Sequence, residues 1–335
     1  MKDQWPLQMS PMRGAQCPHE PAPAGIGDDE ATFAGSTLSR VCSVCGGPEG
    51  SRIILAEKMY GSGEEFAYSM CGSCGSLQIV SVLEEMSRYY PADYYSLAGT
   101  LGSRARLRLL VRRASRVLGL RVPRLGEDLE SVLRWLPRGK GRVLDVGSGA
   151  GILLRKLQAL GYVCHGVDPH LSSDAMSQGI VLMRCAFEEV HGEYDMVMFN
   201  HSFEHMSDPH GVFAHARTLL GRRGILRIRV PVVPNNVWDE YGTDWPQLDP
   251  PRHLFTFSMS GLRSLASAHG LVVRSVEYDA RPWSLVAARA YRDGRRLLDL
   301  SPEDLEGSSA DRSSTQSANE AMYGDQVRLI LSLDA

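Results

Sequence analysis

The chain is 335 residues long, 43% hydrophobic and 22% charged, with a formal net charge of −3. This composition suits a protein with a large core and room for two or three domains. It gives no global electrostatic reason to expect a nucleic-acid partner, and no apolar run is long enough to cross a bilayer.

The opening stretch MKDQWPLQMSPMRGAQC lacks the apolar segment of a secretory signal, so a cytoplasmic location is expected. Residues 1–38 are rich in Pro, Gly, Ala and acidic residues without periodicity, and read as a disordered tail. Residues 39–86 hold two pairs, Cys42-x-x-Cys45 and Cys71-x-x-Cys74, with the strand-like runs RIILAEKMY and FAYSM between them. In a reducing compartment such pairs point to metal before disulfide. Four thiolates complete a tetrahedral Zn²⁺ shell and leave no open position, so the expected zinc is structural, bound by Cys42, Cys45, Cys71 and Cys74. The gap between the pairs exceeds the usual spacing of roughly 15–20 residues, and a β-hairpin absorbs the excess. An unmetallated thiol pair and a redox CxxC are the competing readings.

Residues 87–140 read as a connector. Its RYYPADYYSL stretch carries Tyr89, Tyr90, Tyr94 and Tyr95, which pack an interdomain contact or place one tyrosine over the mouth of a site. Residues 101–120 show a helical apolar face of Leu107, Leu110, Val111, Ala114, Val117 and Leu118. Six arginines between 104 and 116 occupy much of the remainder, either as a solvated face or as a surface for an anionic partner.

From residue 141 to about 295, strands and helices alternate. GRVLDVG, YVCHGVD, IVLMRC, YDMVMFN and GILRIRV read as strands; ILLRKLQALG, HGVFAHARTLL and SGLRSLASAHG read as helices. LVVRSVEY and WSLVAARAY are read as a final antiparallel pair. The alternation predicts a doubly wound α/β sheet. EGSSADRSSTQSANEAMYG and its surroundings, residues 296–335, read as a largely disordered C-terminal tail.

VLDVGSGAG is neither a dinucleotide fingerprint nor a P-loop. The third glycine of G-x-G-x-x-G is missing, and no lysine follows in place. What remains is Asp145-x-Gly147-x-Gly149-x-Gly151, a loop whose backbone turns sharply and approaches a ligand at the strand ends. Asp168, in GVDP, is either a turn aspartate before Pro169 or a carboxylate placed to accept hydrogen bonds from two ribose hydroxyls, and the neighbouring glycine loop favours the second.

VLDVGSGAG, GVDP, YDMVMFNHSFEHMSDP and GRRGILRIRVP, in this order and spacing, resemble the class I S-adenosylmethionine-dependent methyltransferases over residues 141 to about 290. The resemblance implies a Rossmann-like seven-stranded sheet. It places Asp145, Gly147, Ser148, Gly149 and Gly151 around the methionine part of S-adenosylmethionine, and Asp168 with Pro169 on the ribose. It also places Ala186 and Phe187 on the adenine, and Asn200 and His201 beside the methyl group. The four-cysteine ribbon, the YYPADYY connector and this domain together are similar to bacterial methyltransferases of cell-surface polysaccharide and deoxysugar pathways. That similarity implies a small-molecule acceptor such as a sugar or nucleotide-sugar, methylated on carbon or oxygen.

Methyl transfer to such an acceptor calls for positioning and for a base near neutral pH. His205, just beyond strand four, and His253, in the insertion at 231–257, are the candidates. Turn capping and loop packing are their structural alternatives. In quinone-type O-methyltransferases a Glu-His pair at this place serves a divalent metal, and Glu204-His205 matches that pair. The insertion also offers Asn235, Asn236, Trp238, Tyr241, Asp244 and Trp245 for sugar recognition. Amino-group methylation of bases calls for Asn/Asp-Pro-Pro-aromatic after strand four, where Asn200-His201-Ser202-Phe203 stands. Two further readings stay open: an rRNA or tRNA methyltransferase whose zinc module binds RNA, and a non-catalytic S-adenosylmethionine-binding protein.

Overall fold

A computed structural model of the chain describes residues 41–83, 85–90, 126–137, 140–177 and 179–334. The tail expected over 1–38 and the Arg-rich helix expected over 101–120 lie outside the described residues.

Strands β4 (Arg142–Val146), β5 (Val163–Val167), β7 (Ile180–Met183), β8 (Tyr194–Asn200) and β9 (Leu220–Val233) run parallel in the order β7-β5-β4-β8-β9. The short β6 (Ala175–Ser177) pairs antiparallel with β7 at that edge. On the far side, β12 (Gln326–Leu333) lies antiparallel to β9, and β11 (Leu271–Tyr278) antiparallel to β12. The order β7-β5-β4-β8-β9-β12-β11 is the expected seven-stranded sheet, with one reversed strand.

Helices cover both faces, because both faces are apolar. α1 (Glu127–Leu133) and α2 (Ile152–Ala159) pack Leu129, Val132, Leu154 and Leu157 on one side. α3 (Pro209–Leu219) and α5 (Met259–Ala268) pack Val212, Phe213, Leu262 and Leu265 on the other. Their starts are written locally. Asp208 accepts from Gly211 N–H at 2.9 Å with Pro209 at the first turn, and Ser258 accepts from Gly261 N–H at 2.9 Å. Between them, α4 (Asn236–Tyr241) follows β9. Among the described residues, no helix is long and apolar enough to cross a membrane.

The cysteine module is a three-stranded antiparallel sheet of β1 (Glu49–Ala56), β2 (Glu65–Cys71) and β3 (Leu77–Ile79). It is continuous with the large sheet. β10 (Phe255–Ser258) pairs antiparallel with β3 and parallel with the end of β9. One apolar cluster runs from Val44, Leu55 and Tyr68 through Phe255 to Phe199 and Leu226.

Two readings of the C-terminal region are corrected. WSLVAARAY is not a strand but the core of α6 (Pro282–Arg292), opened by Pro282 and burying Leu285, Ala288 and Tyr291 at helical spacing. Residues 296–334, the described part of the expected tail, are not disordered. They contain α7 (Ser309–Glu320) and then β12, the strand inserted between β9 and β11. The buried stripe of α7 is Asp311, Thr315 and Ala318, nearly all polar, and Arg289 holds Asp311 bidentately at 2.9 and 2.9 Å. A polar stripe fastened by an ion pair carries no apolar periodicity to read.

Candidate active site

Adjacent register brings three strand ends together. Val146 of β4 lies opposite Phe199 of β8 and Val167 of β5, so Gly147, Asp168 and Asn200 emerge side by side. Gly147, Gly149 and Gly151 all have positive φ, at 73°, 49° and 68°. At Gly147 a side chain is excluded twice over, because its Cβ would lie 2.5 Å from Ser202 Cβ. Asp168 closes the loop: Oδ2 accepts from Gly149 N–H at 3.0 Å and Oδ1 from His170 N–H at 2.9 Å. Each oxygen keeps a second acceptor site. The cradle therefore fits a ligand that offers hydroxyl groups to Asp168 and a slender chain to the glycine loop.

Asp145 is buried at the root of this cradle. Asn200 Nδ2 donates to its Oδ1 at 3.2 Å, and Arg227 of β9 donates to Asn200 Oδ1. Burial outweighs these partners and pushes the Asp145 carboxyl up to about 7. Ala186 is exposed just past β7, whereas Phe187 turns its ring into the core against Phe199 and His215.

His201, Glu204, His205 and His253 form a second cluster beyond β8. His201 has a φ of 51°, a conformation that a side chain with a Cβ adopts at a cost. Its Nδ1 lies 3.4 Å from Glu204 Oε1. Glu204 is 0% exposed, and neither oxygen has a hydrogen-bond partner of good geometry. Burial pushes its carboxyl up, but the rings of His201, His253 and His205 outweigh that and draw it down to about 2. The imidazoles of His205 and His253 meet at 4.8 Å between centroids.

Both rings are oriented by main-chain carbonyls. His205 Nδ1 lies 2.7 Å from Arg252 O, and His253 Nδ1 lies 2.8 Å from Gln247 O. A carbonyl only accepts, so each Nδ1 carries the proton and each neutral ring keeps its lone pair on Nε2. The two environments differ. His253 is buried, and burial first, then His205, lowers its pKa to about 4. His205 is half-buried, with Tyr90 Oη 3.2 Å from its Nδ1. Tyr90 also stacks on His170, 5.2 Å away, and so spans from the Asp168 loop to His205.

Two clusters among the described residues have metal-ligand spacing: the four cysteines, and Glu204 with His205 and His253. In the cysteine cluster, Cys42 Sγ lies 3.8 Å from Cys74 Sγ and Cys45 Sγ 3.5 Å from Cys71 Sγ. A tetrahedron with Zn–S bonds of about 2.3 Å has edges of about 3.8 Å, so these residues fit Zn²⁺. Main-chain N–H groups of Val44, Gly47 and Ser73 point at the sulfurs of Cys42, Cys45 and Cys71 at 3.3–3.4 Å. Contact with Cys42 draws the Cys74 thiol down to about 4, while the contact with Cys74 and then burial push the Cys42 thiol up.

The insertion at 231–257 is less open than its composition implied. Asn235 caps α4, accepting from Val237 and Trp238 N–H at 2.9 and 2.8 Å. Trp245 is in the core and donates to Asp325 at 3.0 Å. His210 and His215 of α3 are half-buried, bonded to His269 and to Val190 O. Sequence reasoning missed Asp249 and Arg252 as site-building groups. A charged Asp-Pro-Pro-Arg run in a loop was the available signal.

Residues 111–276 match a family model described as a methyltransferase domain, about half of the chain. No curated protein matches the sequence. Similar solved structures include a putative sarcosine dimethylglycine methyltransferase from Galdieria sulphuraria, at 18% identity and a TM-score of 0.39, covering 70% of this chain and 91% of that one. A second is the cyclopropane synthase MmaA2 from Mycobacterium tuberculosis, at 14% identity and a TM-score of 0.40, covering 61% and 82%. A third is a putative methyltransferase in complex with the Haloferax volcanii Trm112 activator, at 16% identity and a TM-score of 0.43, covering 62% and 87%. The sheet order, the glycine loop and the family match together make residues 111–276 a methyltransferase domain of the S-adenosylmethionine-dependent, class I kind.

Proposed function

We propose that the enzyme methylates a small acceptor, a sugar or nucleotide-linked keto-sugar, with His205 as general base and one structural zinc in the cysteine module. S-adenosylmethionine supplies an electrophilic methyl group. Asp168 holds the ribose hydroxyls, and the glycine loop holds the methionine part. His205 Nε2 would take the proton from the acceptor hydroxyl, or from the carbon beside the acceptor carbonyl, so that this atom could accept the methyl in line while the methyl–sulfur bond breaks and the thioether leaves with the sulfur electron pair. The observation that carries this reading is the His205 ring: its Nδ1 proton is committed to Arg252 O at 2.7 Å, which leaves the lone pair on Nε2 of a ring that is only half-buried. His253 has the same tautomer but is buried, and serves to pack the cluster.

Burial of the cysteine end favours a folding role for zinc over an RNA-reading one. Val44 and Cys42 are buried, and Gly261 of α5 sits so close that a Cβ there would meet Ser76 Oγ at 2.5 Å and Val44 Cγ1 at 2.8 Å. The face of the knuckle that carries Cys42 and Val44 is therefore packed into the domain.

The test joins calorimetric titration with S-adenosylmethionine, metal analysis, and a turnover screen over nucleotide-linked keto-deoxyhexoses. Saturable binding, one zinc per chain, and turnover lost in His205→Gln are expected. Turnover only on RNA overturns the acceptor assignment. A second divalent ion, lost on substitution of Glu204, overturns the assignment of His205 as base.

A further inference from the structure

The cysteine module reaches the cluster beyond β8 from behind, through one buried chain of contacts. Glu57, just after β1, is 1% exposed. Its Oε2 accepts from Ser62 N–H at 2.9 Å and Ser62 Oγ at 3.1 Å, and its Oε1 from Tyr60 N–H at 2.9 Å. Oε1 also accepts from Arg252 Nη2 at 2.9 Å. Arg252 is equally buried; its Nε donates to the Asp249 oxygens at 3.1 and 2.9 Å, and its guanidinium lies over the Tyr60 ring at 5.0 Å. The main-chain oxygen of this same Arg252 orients His205 at 2.7 Å. From β2, Tyr68 Oη donates to the next carbonyl, that of His253, at 2.7 Å.

The charge count is informative. Asp249 alone neutralises Arg252, so Glu57 is a second carboxylate on one buried guanidinium. Two carboxylates approaching from different segments fix where a planar fork lies, which one carboxylate on the neighbouring turn does not. Asp249 has a φ of 38°, so the loop it starts is itself strained and needs holding. Burial pushes the Glu57 carboxyl up, but the Tyr60 N–H and the Arg252 guanidinium outweigh it and keep the group below its ordinary value.

We propose that Glu57 is a positioning residue: it acts through Arg252 to hold the His205 imidazole with its proton on Nδ1 and its lone pair on Nε2. Its consequence for turnover rests on the reading of His205 as base. The module then does more than fold beside the methyltransferase domain, because it sets the tautomer of a ring on another segment.

The measurement is a long-range ¹H–¹⁵N spectrum of the histidine rings in full-length, zinc-loaded protein, with turnover of a nucleotide-linked 4-keto-6-deoxyhexose measured on the same samples. Wild type is expected to show a lone-pair Nε2 on His205. In Glu57→Gln the two His205 nitrogens are expected to move toward a tautomer mixture, with kcat falling about tenfold and KM for S-adenosylmethionine within about twofold. Glu57→Asp is expected to restore part of both. Unchanged His205 signals in a folded Glu57→Gln protein overturn the proposal. If that variant does not fold, Arg252→Lys keeps the charge and loses the fork, and unchanged His205 signals there overturn it equally. Wild-type turnover in His205→Gln, beside a shifted His205 tautomer in Glu57→Gln, removes the base reading and supports the positioning.

Discussion

The Asp168 carboxylate accepts a hydrogen bond from the Gly149 amide at 3.0 Å, so the acid that ends β5 is tied to the loop that ends β4. One side chain thus shapes the glycine cradle and offers the acceptor sites proposed for ribose. Charge-assisted hydrogen bonds contribute about 1.5–3 kcal/mol each. Asp168→Ala is expected to weaken S-adenosylmethionine binding by about 100-fold or more, while Asp168→Asn, which keeps one acceptor oxygen, loses less. Calorimetric titration of both variants checks this, and equal affinity in all three proteins removes the ribose assignment.

Metal removal is the second prediction. With sulfurs 3.5–3.8 Å apart on two turns of one small sheet, a bound Zn²⁺ is a fold-stabilising cross-link. Apparent binding energies of structural zinc are about 10–16 kcal/mol. Cys71→Ser is expected to drop zinc below one per chain and lower the melting temperature. Because β3 pairs with β10, and β10 with β9, the loss should spread into the large sheet. Hydrogen exchange should therefore rise at Phe255–Ser258 as well as in β1 and β2. A metal-free wild-type protein of unchanged stability would end this reading.

Two buried groups make opposite pH demands. Asp145 is raised from 3.8 to about 7 by burial, so the folded state holds a proton that the unfolded state has lost. Its contribution therefore declines as pH rises from about 4 to 7. His253 is lowered from 6.5 to about 4, so the unfolded state binds the extra proton. Its contribution is present above 6.5 and is lost as pH falls toward 4. By linkage, the stability of wild type relative to Asp145→Asn should fall by about 2–3 kcal/mol between pH 5 and pH 8. Relative to His253→Gln, it should fall by about 2 kcal/mol between pH 7.5 and pH 5. Urea unfolding at these pH values measures both. The reverse sign for either pair would show that its partners outweigh its burial.

Legibility followed the kind of force that builds each part. The five parallel strands were legible because both their faces are apolar, as Val143, Leu144 and Val146 are in β4. The glycine loop was legible because positive φ restricts the choice of residue, and the cysteine pairs because two C-x-x-C turns form a recognisable local pattern whose four sulfurs the fold brings together. Asn235 and Trp245 misled, since a polar–aromatic composition serves a helix cap and a core hydrogen bond as well as it serves a ligand. Glu57, Arg252 and His205 were not legible as one unit. Their link is an ion pair spanning 195 residues and a main-chain carbonyl, and neither leaves a local pattern.

The C-terminal segment supplies the sharpest test of the fold. β12 fills the place between β9 and β11, pairing Val327 with Val230 and Leu329 with Ile228 on one side, and Leu331 with Val273 on the other. It also brings Arg328 against Asp279 at 2.7 Å and Asp325 against Trp245 and Gln247 at 3.0 and 2.6 Å. Deleting residues 306–335 would strip the edge of β9, strand β11 without a partner, and leave the buried Asp279 with Arg229 but without Arg328. Removing one partner of a buried charge network costs about 3–5 kcal/mol, before any loss of apolar burial from Val327, Leu329 and Leu331. The truncated chain is therefore expected to lose its cooperative unfolding transition and to aggregate through the bared strand edge. A truncation that kept the wild-type denaturation midpoint and S-adenosylmethionine affinity would mean that the first 305 residues close the sheet without it.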